Sequence, residues 1–145
     1  TLIGVGATIF GGALYQIVRE MTAEEEPQVD RFVTVGAVED FEPDSVTNFA
    51  DDKFFLIRRE DRGFLALHSE CTHQSCIVPW IAAERQFQCP CHGLVFGPDR
   101  DVINPAAPRP LNGHEIKLDH ENVSVHRGRR TKREKADDQY VVYAP

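Results

Sequence analysis

All four cysteines of this chain sit in two short boxes, Cys71-Thr72-His73-Gln74-Ser75-Cys76 and Cys89-Pro90-Cys91-His92-Gly93, separated by twelve residues. Each box also sets a histidine one or two positions from a cysteine, and no other stretch has comparable chemical density. Two cysteines and two histidines satisfy a zinc ion, but zinc modules usually space like with like, as C-x2–4-C and H-x3–5-H. Here each box mixes the two residue types. A pair of plain disulfides would use every thiol and leave His73 and His92 unexplained.

The rest of the chain fits one domain with an appendage. Residues 1–18 carry no charge and would span about 27 Å as a helix, against a hydrocarbon core of roughly 30 Å. Residues 1–19 are therefore expected to be a transmembrane helix entered part-way, with Ala7/Gly11 and Thr8/Gly12 forming a small-residue face for a neighbouring helix. The other reading is a signal peptide. Residues 20–29 are polar and acidic and read as a linker, with 24–27 the candidate hinge. Net charge is −7, but six basic residues between Arg127 and Lys135 against Glu134 make a local +5, leaving −12 elsewhere. An acidic bulk with one confined basic run excludes a nucleic-acid-binding core. Residues 127–145 read as a basic, solvated tail, with docking to anionic lipid or an acidic partner the other possibility.

From Arg31 the apolar period is two. Residues 32–35 form a first expected strand, 40–50 read as loop, and 53–59 and 64–69 flank a hairpin turn at Glu60-Asp61-Arg62-Gly63. Short strands follow at 86–88, 94–97, 102–104, 115–118 and 123–126, with 140–143 a final strand or docking segment. Many short strands divided by Gly and Pro imply an antiparallel β sandwich or barrel. His68 reads as packing or rim, and His114, His120 and His126 as surface residues.

The pattern C-x-H-x-x-C … C-P-C-H-G closely resembles that of Rieske iron–sulfur proteins, in particular the disulfide-bearing kind found in quinol-oxidising cytochrome bc-type complexes. The resemblance covers most of residues 31–126 and implies an all-β fold: a Rieske-like antiparallel β sandwich with a small cluster-binding subdomain, here residues 30–126. It implies a [2Fe–2S] cluster with Cys71 and Cys89 on the inner iron and His73 and His92 on the outer one. Two thiolates and two neutral imidazoles leave less negative charge than four thiolates, so reduction is easier. It further implies that Cys76 and Cys91 are bonded to each other, and a disulfide persists only in an oxidising compartment. The domain is then expected on the extracytoplasmic side of a plasma membrane. The segment from Asn104 to Leu111 resembles the proline loop that covers the cluster, with Pro105 and Pro108 as its prolines.

This chain departs from the family at Pro105 and Ala106, which replace the first two residues of the G-P-A-P proline-loop motif, and at four positions in or beside the boxes. High-potential members carry Ser and Tyr where Leu94 and Phe96 stand, and neither residue here can donate a hydrogen bond to a cluster or cysteine sulfur. The expectation is a potential in the lower part of the Rieske range, suited to menaquinol. Gln74 replaces a common Leu and Ser75 a usual Gly, which bears on quinol docking. The function implied is electron transfer from quinol, beside a cytochrome b-type membrane subunit, to a c-type cytochrome or equivalent acceptor, with His73 and His92 as the entry edge for electron and proton. The alternative is the small Rieske subunit of a periplasmic oxidoreductase such as arsenite oxidase.

Overall fold

The computed structural model describes residues 31–98, 102–103 and 107–145. The expected transmembrane helix, the linker and Pro105 lie outside the described residues. Among the described residues no helix is long and apolar enough to cross a membrane.

The centre of the domain is a hairpin of β3 (Phe54–Arg58) and β4 (Gly63–His68). Both strands are buried throughout, because their sequences are runs of apolar residues rather than alternations. Successive side chains on a strand point to opposite faces, so the hairpin divides two cores. Phe54, Leu56, Phe64 and Ala66 pack with Phe41, Ile116, Val123 and Val125. Phe55, Ile57, Leu65 and Leu67 pack with Cys71, Val78, Phe87, Cys89, Leu94, Phe96 and Leu111. At about 1.5–3 kcal/mol for each fully buried large side chain, the second core ties the cysteine boxes to the fold. The hairpin turns where the Gly and Asp signals lie. The Arg59 N–H donates to the Gly63 carbonyl at 2.8 Å, the Gly63 N–H donates to Asp61 Oδ1 at 3.0 Å, and Arg62 adopts φ 67°.

The larger sheet also holds β1 (Phe32–Ala37), β2 (Ser45–Phe49), β8 (Gly113–Asp119), β9 (Asn122–Thr131) and β10 (Val142–Tyr143). Its order is β1-β9-β8-β4-β3-β2, with β10 on β4 beyond the stretch that β8 occupies, and all pairs are antiparallel. A smaller three-stranded sheet contains β5 (Trp80–Ile81), β6 (Gln86–Gln88) and β7 (Val95–Phe96) in chain order.

Three sequence expectations are corrected. Residues 45–49, read as loop, are strand β2: its two apolar residues are three apart and so face opposite cores, Val46 packing beside the thiols and Phe49 stacking on Phe54 at 5.0 Å, which leaves no alternation to see in the sequence. The basic run is no solvated tail, since β9 continues through Thr131 and Arg133 is only 2% exposed. Arg127, Arg129 and Arg130 are all exposed at the end of that strand, whose pairing with β8 shifts between His114 and Ile116, so no period of two is visible in the sequence. His114 is buried, not a surface residue, whereas His120 is exposed.

Candidate metal centre

The first box connects β4 to β5 and the second connects β6 to β7. A bridge between Glu70 and Ile77 pinches the first loop at its base. The two loops repeat one backbone pattern. In the first, the Cys71 N–H donates to the Cys76 carbonyl at 2.8 Å and the Ser75 N–H returns to the Cys71 carbonyl at 2.9 Å. In the second, the Cys89 N–H donates to the Leu94 carbonyl at 2.8 Å and the Gly93 N–H returns to the Cys89 carbonyl at 2.9 Å. Each turn needs a left-handed residue at its fifth position, filled by Ser75 at φ 56° and Gly93 at φ 67°. A Cβ on Gly93 would meet nothing within 4 Å, so backbone conformation alone favours glycine there.

The disulfide Cys76–Cys91 joins the loops. Cys71 and Cys89 remain free and buried, at 3% and 0% exposure. The Cys76, Cys89 and Cys91 sulfurs lie within 4.8 Å of one another, but two of them are spent in the disulfide and cannot serve as thiolate ligands. His73 and His92 are exposed, and their Nδ1 atoms face each other at 3.4 Å with the rings edge to face. Two nitrogens bound to one tetrahedral metal at about 2.1 Å would lie about 3.4 Å apart. Burial pushes the Cys71 thiol up, backbone N–H groups of His73 and Gln74 oppose this, and the adjacent Cys89 thiol adds to it. Two adjacent buried thiols become thiolates only with a positive partner, as a metal supplies. The donor set therefore fits a metal group with sulfur on its buried side and imidazole on its exposed side.

The third loop leans on the first. Thr72 Oγ1 donates to the Arg109 carbonyl at 2.9 Å, and Arg109 Nη1 donates to Asn112 Oδ1 at 2.5 Å. Ala107 and Leu111 are buried in the core beside the thiols, while Pro108 is exposed. Leu94 and Phe96 are 3% and 1% exposed in that same core, and Gln74 and Ser75 are exposed on the first loop.

Residues 31–117 match the Rieske [2Fe-2S] domain, more than half of the chain. The chain belongs to the Rieske [2Fe–2S] family. Its cofactor is accordingly a Rieske [2Fe–2S] cluster, not zinc. Among curated relatives of this Rieske chain, the cytochrome b6-f complex iron-sulfur subunit of Chlorobaculum thiosulfatiphilum is 28% identical, over 84% of this chain and 68% of the relative. The chloroplastic subunit of the same name from Bigelowiella natans is 39% identical, over 55% of this chain and only 33% of the relative. The chain thus spans 33% of one relative's length and 68% of the other's. Among solved structures, a chain of a hyperthermophilic respiratory Complex III superposes with a TM-score of 0.50 at 32% identity, covering 81% of this chain and 92% of that one. The plasma-membrane Rieske protein of the cyanobacterium Synechocystis gives 0.51 at 27% identity, covering 64% and 97%.

One cluster of side chains beside the first loop escapes the sequence reading. Glu70 Oε1 accepts from Lys53 Nζ at 2.9 Å, and Glu70 Oε2 lies 3.1 Å from Arg130 Nη1 and 3.2 Å from His68 Nε2. His68 in turn meets His114. The available signal was two histidines on expected strands or beside them, one of them three residues before Cys71.

Proposed function

We propose that this Rieske protein is the electron-transfer subunit of a membrane cytochrome bc- or b6f-type complex that oxidises quinol. The observation that carries the reading is the polarity of the site: buried Cys71 and Cys89 thiols behind, and exposed His73 and His92 in front with Nδ1 atoms 3.4 Å apart. Cys71 and Cys89 would hold one iron, and His73 and His92 the other. The bound cluster supplies a one-electron couple at a higher potential than an all-thiolate centre.

The residues of this chain then divide the remaining work. The Nδ1 atoms of His73 and His92 are directed at each other, which leaves each Nε2 as the ring nitrogen free to meet a quinol hydroxyl and take its proton. The Cys76–Cys91 disulfide holds both loops in register and supports placement on the oxidising side of a membrane. Leu94 and Phe96 exclude water without donating to sulfur, which supports a low potential and a menaquinol donor. The partners on this reading are a cytochrome b-type subunit and a c-type cytochrome or equivalent acceptor. The names of the relatives lend no support to a periplasmic oxidoreductase such as arsenite oxidase.

An EPR-monitored redox titration of the cluster-bearing chain at several pH values tests this. A rhombic [2Fe–2S] signal is expected, with a midpoint in the lower Rieske range that falls as pH rises. Zinc in place of iron overturns the reading, and a high midpoint overturns its menaquinol part.

A further inference from the structure

Two buried histidines that take no part in this scheme, His68 on β4 and His114 on the paired strand β8, lie on the face of the larger sheet away from the thiols. His68 and His114 are each 4% exposed. His114 Nδ1 lies 2.8 Å from the His126 carbonyl oxygen, which can only accept, so Nδ1 carries the hydrogen. Neutral His114 then has a bare Nε2, which accepts from His68 Nδ1 at 3.0 Å. Neutral His68 is in consequence bare at Nε2. That nitrogen sits 3.1 Å from Arg130 Nη1, a donor, and 3.2 Å from Glu70 Oε2, an acceptor. One proton added to either ring places hydrogen on His68 Nε2, directly or by passing the shared hydrogen to His114, and Glu70 then accepts it. The pair thus has one vacant proton position, set between a fixed donor and a fixed acceptor.

We propose that the His68–His114 pair is a second protonation site coupled to the oxidation state of the cluster, separate from the ligand imidazoles. The proposal rests on the electron-transfer reading above. His68 is three residues from Cys71, at most about 11 Å along the backbone. An electron arriving at the cluster from the quinol donor adds one negative charge there, which favours uptake of one proton from water at His68 Nε2. Both leave on reoxidation. By linkage, protonation of the pair raises the midpoint potential.

The charged groups that bear on the pair are Glu70 on the first loop, Lys53 ahead of β3, and Arg130 and His126 on β9. Beyond Lys53, Asp52 is held by Arg127 at 2.8 Å. Burial, with Arg130 adding to it, moves both imidazoles below their ordinary value, though Glu70 partly restores His68 and the His126 carbonyl partly restores His114. The step therefore falls on the acid side of about pH 6.5.

The midpoint potential of the cluster-bearing full chain, followed by EPR from pH 4 to 8, decides the matter. The wild type is expected to show an acid-side rise, and a tenfold difference in proton affinity between oxidation states corresponds to about 59 mV. His68→Gln abolishes that rise and keeps the alkaline limb. Arg130→Met, an exposed position that need not disturb folding, moves the step to higher pH because it removes a cation facing Nε2. A flat acid-side potential in the wild type, or an acid limb unmoved in Arg130→Met, overturns the proposal. Absence of any [2Fe–2S] signal overturns the functional reading instead.

Discussion

Phe96 is a buried ring without a hydroxyl, in a core that also holds both thiols and Leu94. A hydrogen bond to sulfur favours the reduced, more negative cluster, and a bond worth about 1–1.5 kcal/mol shifts a one-electron potential by roughly 40–65 mV. Phe96→Tyr is therefore expected to raise the midpoint by that amount, read by redox titration with the EPR line shape kept. An unchanged midpoint would mean that the new hydroxyl does not reach sulfur, and the low-potential argument would lose this residue. Ser75 is a different kind of departure. Its φ of 56° is the left-handed conformation that the twin position, Gly93, occupies without strain. The boxes were legible as a metal site because ligand chemistry is a property of residue types. The role of position 75 was not, because it lies in a backbone angle. His114 was misread for a related reason: its neighbours in sequence are polar, and only the pairing of β8 with β4 and β9 encloses it.

At the scale of elements, the least legible segment is the C-terminal one. Residues 132–145 form a strap across the β3–β4 hairpin. Arg133 is buried, and Tyr140 and Val141 pack against the core beside the thiols. Val142 and Ala144 pack against the other core, and Arg59 binds Asp138 at 2.7 Å. β10 pairs with Phe64 and Gly63, and the Ala144 N–H donates to the Arg62 carbonyl at 3.1 Å. Gly63 leaves room for it, since a Cβ there would lie 2.6 Å from Val141 Cγ1. Residues 140–143 were legible as a final strand or docking segment, but charge dominates residues 132–138 and hides that the chain leading to them is also held to the domain. Ending the chain after Thr131 is expected to cost several kcal/mol through those anchors, a large share of the 5–15 kcal/mol typical of a domain. Thermal melting of the shortened, cluster-loaded protein checks this. An unchanged melting temperature would restore the reading of a solvated tail.

For the molecule as a whole, the β3–β4 hairpin was legible because its apolar runs and its Asp-Arg-Gly turn agree, and two buried faces follow from that agreement. The polar network beneath the first loop was not, because it joins residues from four separate segments: Lys53, His68 with Glu70, His114 and Arg130. That network makes stability depend on pH in a definite direction. His68 and His114 have folded-state pKa values below the ordinary imidazole value, chiefly through burial. Between those lowered values and about 6.5 the unfolded chain binds protons that the folded chain does not, so stability is full above that window and falls as pH drops through it. The slope is at most about 1.4 kcal/mol per pH unit for each histidine. Glu70 acts in the same direction at lower pH, because its bond to Lys53 holds the carboxyl below its usual range. Melting temperatures of the cluster-loaded protein are accordingly expected to decline from pH 7 to pH 5, and to decline less in His114→Gln. A wild-type melting temperature that stays level across that interval would show that the pair is not kept neutral by burial, and would move the acid-side step proposed for the potential with it.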